Sequence, residues 1–176
     1  LAPVVVNVMK AKLFESVNSN ELAKSLNFQS GLRVENTCQN CGFPQVRING
    51  LEGSYSQILI NSRPVMSALA GVYGLEQIPV NMIERVEVVR GGGSALFGAN
   101  AVGGTINIIT KDPVNNSFQA STTLSNMNGK SWEQYFGANA SLASSNNTYG
   151  IALYQSYRNR NPDDADGDVC SERGKL

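Results

Sequence analysis

The chain has 176 residues, 41% of them hydrophobic, and its 14 basic side chains are matched by 14 acidic ones. That length suits one ordinary domain, or a small domain plus an incomplete second one. A formal net charge of zero gives no global field for holding nucleic acid or an anionic membrane surface, and the absence of histidine removes the commonest general base, the His-based nucleophile systems and most zinc sites.

The first residues, Leu1-Ala2-Pro3-Val4-Val5-Val6, carry no initiator methionine, basic n-region or long apolar stretch, so the chain is expected to begin mid-protein with any secretion signal upstream. No run approaches the ~20 apolar residues of a spanning helix, so a membrane role would have to come through strands. Residues 4–8 are rich in valine and predict a strand. Asn18-Ser19-Asn20-Glu21 resembles a capping box opening a short helix, with Leu22, Ala23 and Leu26 on one face. Residues 45–49, 57–61, 85–89 and 104–110 then read as short strands. The pattern is α+β, with a domain boundary expected near Pro113: residues 1–113 form one domain and 114–176 the start of another.

Beyond that boundary, residues 118–125, 132–142 and 148–157 are each about as long as a tilted strand that crosses a bilayer. Phe136, Ala138, Ala140 and Leu142 alternate with Tyr135, Gly137, Asn139 and Ser141, and Tyr149, Ile151 and Leu153 alternate with Gly150, Ala152 and Tyr154. One face is apolar and the other small or polar. Asn126-Met127-Asn128-Gly129-Lys130 and Ser144-Ser145-Asn146-Asn147 supply turn chemistry for hairpins. Alternation of this kind also suits a soluble antiparallel sheet with one wet face.

A charged strand, Ile83-Glu84-Arg85-Val86-Glu87-Val88-Val89-Arg90, runs into Gly91-Gly92-Gly93-Ser94-Ala95-Leu96-Phe97-Gly98. The chain then returns through Ala101-Val102-Gly103-Gly104 into Thr105-Ile106-Asn107-Ile108-Ile109-Thr110-Lys111. The glycines predict a tight hairpin or crossover between two strands. A phosphate loop is excluded in detail, because Ala99-Asn100 stand where Lys-Ser/Thr is required; a dinucleotide fingerprint fails at Leu96.

This stretch closely resembles the plug signature of TonB-dependent outer-membrane receptors. Leu22-Ala23-Lys24-Ser25-Leu26, Gly31-Leu32-Arg33-Val34, Arg47-Ile48-Asn49-Gly50 and Ile58-Leu59-Ile60-Asn61-Ser62-Arg63-Pro64 follow the family's order. The family usually has proline where Gly92 stands and Asp-Gly where Asn61-Ser62 stand. The resemblance implies an α+β plug, a small mixed sheet with short helices and glycine-rich loops, followed by antiparallel strands that begin a transmembrane β-barrel. It implies a transporter rather than an enzyme, with no resident cofactor. Its expected partners are TonB, gripping a segment upstream of this chain, the remainder of its own barrel, the outer membrane, and a scarce nutrient of the iron-chelate, haem or cobalamin type. Glu87 and Arg90 match positions that pair with charged residues of the barrel wall, although a solvated strand face is the ordinary reading of such charges. The runner-up is a soluble periplasmic binding or signalling module with a plug-like fold.

Two further clusters are candidate sites. Cys38-Gln39-Asn40-Cys41 is expected in a plug loop facing incoming cargo, with a small disulfide ring favoured over free thiols or a soft-metal site. Phe43, Arg47 and Tyr55 offer stacking and charge for a planar or anionic cargo, or else pack against the wall. A redox pair at Cys38 and Cys41 is disfavoured, because Gly42-Phe43-Pro44 leads into a strand rather than a helix. Asp163, Asp164, Asp166 and Asp168, with Glu172, crowd into the loop after the third long strand. That loop is extracellular if the plug enters from the periplasm, and the acids are either a calcium site or a solvated acidic loop; their spacing is not that of an EF-hand.

Overall fold

A computed structural model describes residues 6–17, 22–36, 44–65, 75, 78–91, 97–98, 100–127, 131–146 and 148–161. Two compact units divide the chain, the first ending at Lys111 and the second taking up at Asp112.

The first unit is built on a five-stranded mixed sheet. Its strands are β1 (Val6–Lys10), β4 (Ser56–Ile60), β5 (Arg63–Pro64), β6 (Ile83–Arg90) and β7 (Gly104–Thr110), arranged in the order β1-β6-β7-β4-β5. Strand β6 pairs antiparallel with both β1 and β7, while β4 runs parallel to β7. A separate antiparallel hairpin joins β2 (Leu32–Asn36) to β3 (Pro44–Ile48). Two short helices, α1 (Ala11–Ser16) and α2 (Leu22–Leu26), complete the α+β pattern.

Alternation explains why these segments fold onto one core. Along β6, Val86 and Val88 are fully buried while Glu84 is exposed. In α2, Leu22 and Leu26 lie four residues apart and share a face, together with Ala23 and Ser25. Leu22 and Leu26 join Met9, Phe14, Ile48, Ile83, Ile106 and Ile108 in a single hydrophobic cluster. Each such side chain contributes roughly 1.5–3 kcal/mol by leaving water. Helix α2 has only five residues, far too few to persist alone, so its apolar face holds it in place. Helix α1 has no counterpart in the sequence reading, since six residues with no strong cap give little periodicity to detect. Strand β2 falls on Leu32-Arg33-Val34, a segment that follows the family's order but carries no strand expectation of its own.

The second unit is an antiparallel sheet of three long strands, β8 (Ser117–Met127), β9 (Ser131–Ala143) and β10 (Gly150–Arg160), in the order β10-β9-β8. Its burial is inverted. On β9, Ser131, Glu133, Tyr135 and Asn139 are buried, whereas Trp132, Phe136 and Leu142 are exposed. Cross-strand partners share a face, so the register aligns Phe118, Leu124, Phe136, Leu142, Ile151, Leu153 and Tyr157 on the exposed side. Ten steps from Trp132 to Leu142 span about 34 Å of strand, which a tilt near 45° reduces to about 24 Å, the height of a bilayer-facing apolar band. On the opposite face, Arg158 donates to a Glu133 carboxylate oxygen through Nε at 2.6 Å and pairs with the same oxygen through Nη2. Among the described residues no helix is long and apolar enough to cross a membrane, which leaves crossing by strands untouched.

Candidate functional site

The charged strand β6 and its return partner β7 form the centre of the first unit. Gly104 sits directly opposite Arg90 with φ +143°, and a Cβ there would lie 2.3 Å from the Val89 carbonyl oxygen. Only glycine fits where the two backbones approach this closely. The turn is closed by Gly91 donating its N–H to Gly103, which donates in turn to the carbonyl of Tyr55. The glycine return is therefore a β-hairpin with a long tip, tied at its base to the short 3-10 turn Gly53–Tyr55.

Glu87 and Arg90, the two expected wall-pairing residues, lie three apart on one strand and so project from opposite faces. Glu87 faces Asn107 across the ladder. One of its oxygens accepts from Arg85 Nε at 2.8 Å and the other from Asn107 Nδ2 at 3.2 Å. Arg85 also pairs with Glu84 at 2.8 Å. Its guanidinium is held still more firmly protonated, chiefly by the hydrogen bond to Glu87, which outweighs the opposing effect of desolvation, with Glu84 adding a smaller contribution. Arg90 lies on the other face at the end of the Val86–Val88 row. Among the described residues its Nη2 donates to Ser30 Oγ at 3.4 Å, and its Nε is buried with no hydrogen-bond partner. A Cβ on Gly31 would come within 3.0 Å of the same guanidinium.

Asn107 connects Glu87 to a second turn. Asn61 and Ser62 join β4 to β5 with φ of 48° and 64°, the two left-handed residues of a type I′ hairpin. Each left-handed non-glycine residue costs about 1–2 kcal/mol, and side-chain bonding offsets that cost. Ser62 N–H donates to Asn107 Oδ1 at 2.9 Å, and Asn107 Nδ2 also donates to Ser62 Oγ at 3.2 Å. Asn61 Oδ1 accepts from the Thr110 N–H at 3.0 Å, and Asn61 Nδ2 donates to Thr110 Oγ1 at 2.9 Å. Asn107 is only 8% exposed, so its amide is a buried hub between the turn and the charged strand. In the sequence Asn107 stands only as part of the motif, and its signal is one amide within the apolar run Ile106-Asn107-Ile108-Ile109.

Arg47 lies on β3 directly across from Arg33. Two like charges in that position repel, and Glu35 resolves the conflict by pairing with Arg33 at 2.9 Å and with Arg47 at 2.6 Å. The trio retains one net positive charge. Tyr55 is 48% exposed on the neighbouring 3-10 turn. Cys38, Gln39, Asn40, Cys41 and Phe43 fall outside the described residues, as do Asp163, Asp164, Asp166, Asp168 and Glu172.

Comparison with known proteins agrees with this architecture. The family model described as TonB-dependent Receptor Plug Domain matches residues 2–105, more than half of the chain. The vitamin B12 transporter BtuB of Photobacterium profundum is 31% identical over 113 residues, covering 62% of this chain and 18% of that protein. Among solved structures, the siderophore receptor PirA of Acinetobacter baumannii superposes with a TM-score of 0.75 at 24% identity, over 93% of this chain and 26% of that one. A variant of the ferric enterobactin receptor PfeA of Pseudomonas aeruginosa, in complex with enterobactin, gives 0.74 at 20% identity, over 95% and 26%. At such identities the structural likeness speaks to fold, and the chain spans about a fifth to a quarter of the length of these relatives. On the strength of the family match, the glycine-closed β6–β7 hairpin and the mixed sheet that carries it, this chain belongs to the TonB-dependent receptor plug domain family.

Proposed function

We propose that the chain is the plug of a TonB-dependent transporter of the bacterial outer membrane, continued by the first three strands of the barrel that the plug occludes. The observation that carries the membrane part is the inverted burial of β8–β10, where Phe118, Leu124, Leu142, Ile151 and Leu153 are each at least 60% exposed. In water that face forfeits about 25 cal/mol for every Å² of apolar surface left wet; against lipid it is in its proper solvent. A soluble periplasmic module would leave this face without a partner.

In this reading the plug fills a lumen that would otherwise leak, and the work of moving it comes from TonB, which adds a strand to a segment upstream. The cargo is a scarce metal chelate of the iron-chelate, haem or cobalamin type. The loop containing Cys38, Gln39, Asn40, Cys41 and Phe43, with Arg47 and Tyr55 beside it in sequence order, meets the cargo. Glu87 and Arg90 supply the plug's charged contacts to the barrel, with Asn107 and Arg85 orienting the Glu87 carboxylate. The process is binding and gated passage rather than bond chemistry.

The test is uptake by Gram-negative cells whose only receptor of this class is the full-length protein, offered radiolabelled ferric siderophores, ferric citrate, haem and cobalamin in turn. The expected result is a protein in the outer-membrane fraction and saturable uptake of one class that stops when TonB is deleted. Recovery in the soluble periplasmic fraction, or uptake indifferent to TonB, overturns the proposal.

A further inference from the structure

The β8–β9 ladder ends at the pair Ser117–Ser141, where the chain preceding β8 departs from its neighbour. Two side chains carry the pairing one rung further. Ser141 Oγ donates to the Asn115 carbonyl at 2.8 Å, and the Ala143 N–H donates to Asn116 Oδ1 at 2.7 Å. The segment then folds back on itself, with the Val114 N–H donating to the Asp112 carbonyl at 2.9 Å.

The neighbouring strand is shaped to receive it. Gly150, the first residue of β10, pairs with Ala143 and so lies on the polar face with Ser141 and Ala143. A Cβ on Gly150 would lie 2.6 Å from Pro113 Cγ and 2.7 Å from the Pro113 carbonyl oxygen. Any side chain there would evict the proline, so glycine at this position makes room for the linker. Pro113 adds stiffness, since its ring fixes φ and leaves the adjoining residue few alternatives. The β9–β10 turn that presents Gly150 is itself closed by Ser144 N–H donating to the Tyr149 carbonyl at 2.9 Å.

We infer that Asp112–Asn116 is a fixed anchor rather than a loose tether: it fastens the C-terminal end of the plug to β9 and β10, so that force applied from the N-terminal side unravels the plug no further than Lys111. This role rests on the transporter reading above. Strand β7 ends at Thr110, so the sheet's central pair lies immediately next to the anchored segment in the chain. A pulled plug with such an anchor can open and still return to the same wall, because its last residues keep their register.

Hydrogen exchange on the full-length protein, in vesicles and in detergent, tests the anchor directly. The Ala143 amide is expected to exchange slowly, and Asn116→Ala to accelerate it by roughly ten-fold, the loss of about one hydrogen bond, with the β9–β10 ladder still protected. Exchange of the wild-type Ala143 amide at the rate of the exposed Ser145–Asn146 turn overturns the anchor. Ser141→Ala is the milder companion, expected to loosen residues 112–115 while Asn116 still protects the Ala143 amide. Single-molecule pulling from the N-terminal side then reads the mechanical role. The Gly150→Val/Asn116→Ala protein should extend further than wild type by about 17 Å, five residues at roughly 3.4 Å each. Equal extension overturns it. Failure of the protein to enter vesicles would count against the membrane reading instead, and the exchange measurement in detergent still decides the anchor.

Discussion

The two units of this chain use the same alternation for opposite ends. In the first, the apolar positions of β6 and β7 turn inward, and Ile83, Val86, Val88, Ile106 and Ile108 are buried. In the second, β8–β10 turn their apolar positions outward and bury Ser131, Glu133 and Asn139. Period-two patterning states only that a strand has two unlike faces; which face is covered depends on the solvent beyond it. The difference teaches that a strand pattern cannot be assigned an inside until its neighbours are known.

The comparison can be broken first at the core. Ile106→Ala should destabilise the first unit by about 2–5 kcal/mol, seen as an earlier urea midpoint for the plug with unchanged membrane insertion. A loss below about 1 kcal/mol would mean that the five-stranded sheet is not the centre of the core. The outward face is probed by Leu153→Arg, at a residue that is 63% exposed. In a bilayer the charge should cost about 2–4 kcal/mol near the midplane, measured as a shift in the folding equilibrium into vesicles. In a sheet that faces water the same change would cost almost nothing, so a null result would reverse the assignment of faces.

Smaller effects sharpen the contrast within the first unit, where polar groups are buried but bonded. Asn107→Ala removes the hub between Ser62 and Glu87, and is expected to cost about 1–3 kcal/mol by leaving the Ser62 N–H without its acceptor. Denaturant unfolding together with loss of protection at the Ser62 amide would report it; a change confined to stability, with the turn still protected, would contradict the hub. Ser62→Gly relieves a left-handed φ of 64° while keeping the backbone bond to Asn107. A gain of up to about 1 kcal/mol is expected. A loss instead would mean that Ser62 Oγ matters more than the strain.

Much of the β6–β7 hairpin was legible because its geometry is local. Three glycines after a charged strand, and two more before the next, announced a tight return, and Gly104 shows why: there is no room for a Cβ against Val89. The family resemblance rested on that stretch. What could not be read was which charge meets which. Glu87 and Arg90 are near neighbours in sequence but occupy opposite faces, and the partners of Glu87 come from Arg85 on its own strand and Asn107 on the next. Arg47 offers charge in the sequence, and Glu35 on the paired strand half-neutralises it together with Arg33.

The sequence by itself determined helix α2, the glycine-bound hairpin and the long two-faced strands, because each depends on residues within one turn or one strand, and the family, because its motifs stand in order along the chain. Tertiary structure alone decided the parallel pairing of β4 with β7, the buried amide that joins the Asn61–Ser62 turn to Glu87, and the seating of Pro113 on Gly150. Those contacts bring together residues about 20 to 50 positions apart, and pairing at that separation is selected by what the rest of the fold buries and leaves room for, a quantity no local window of sequence contains.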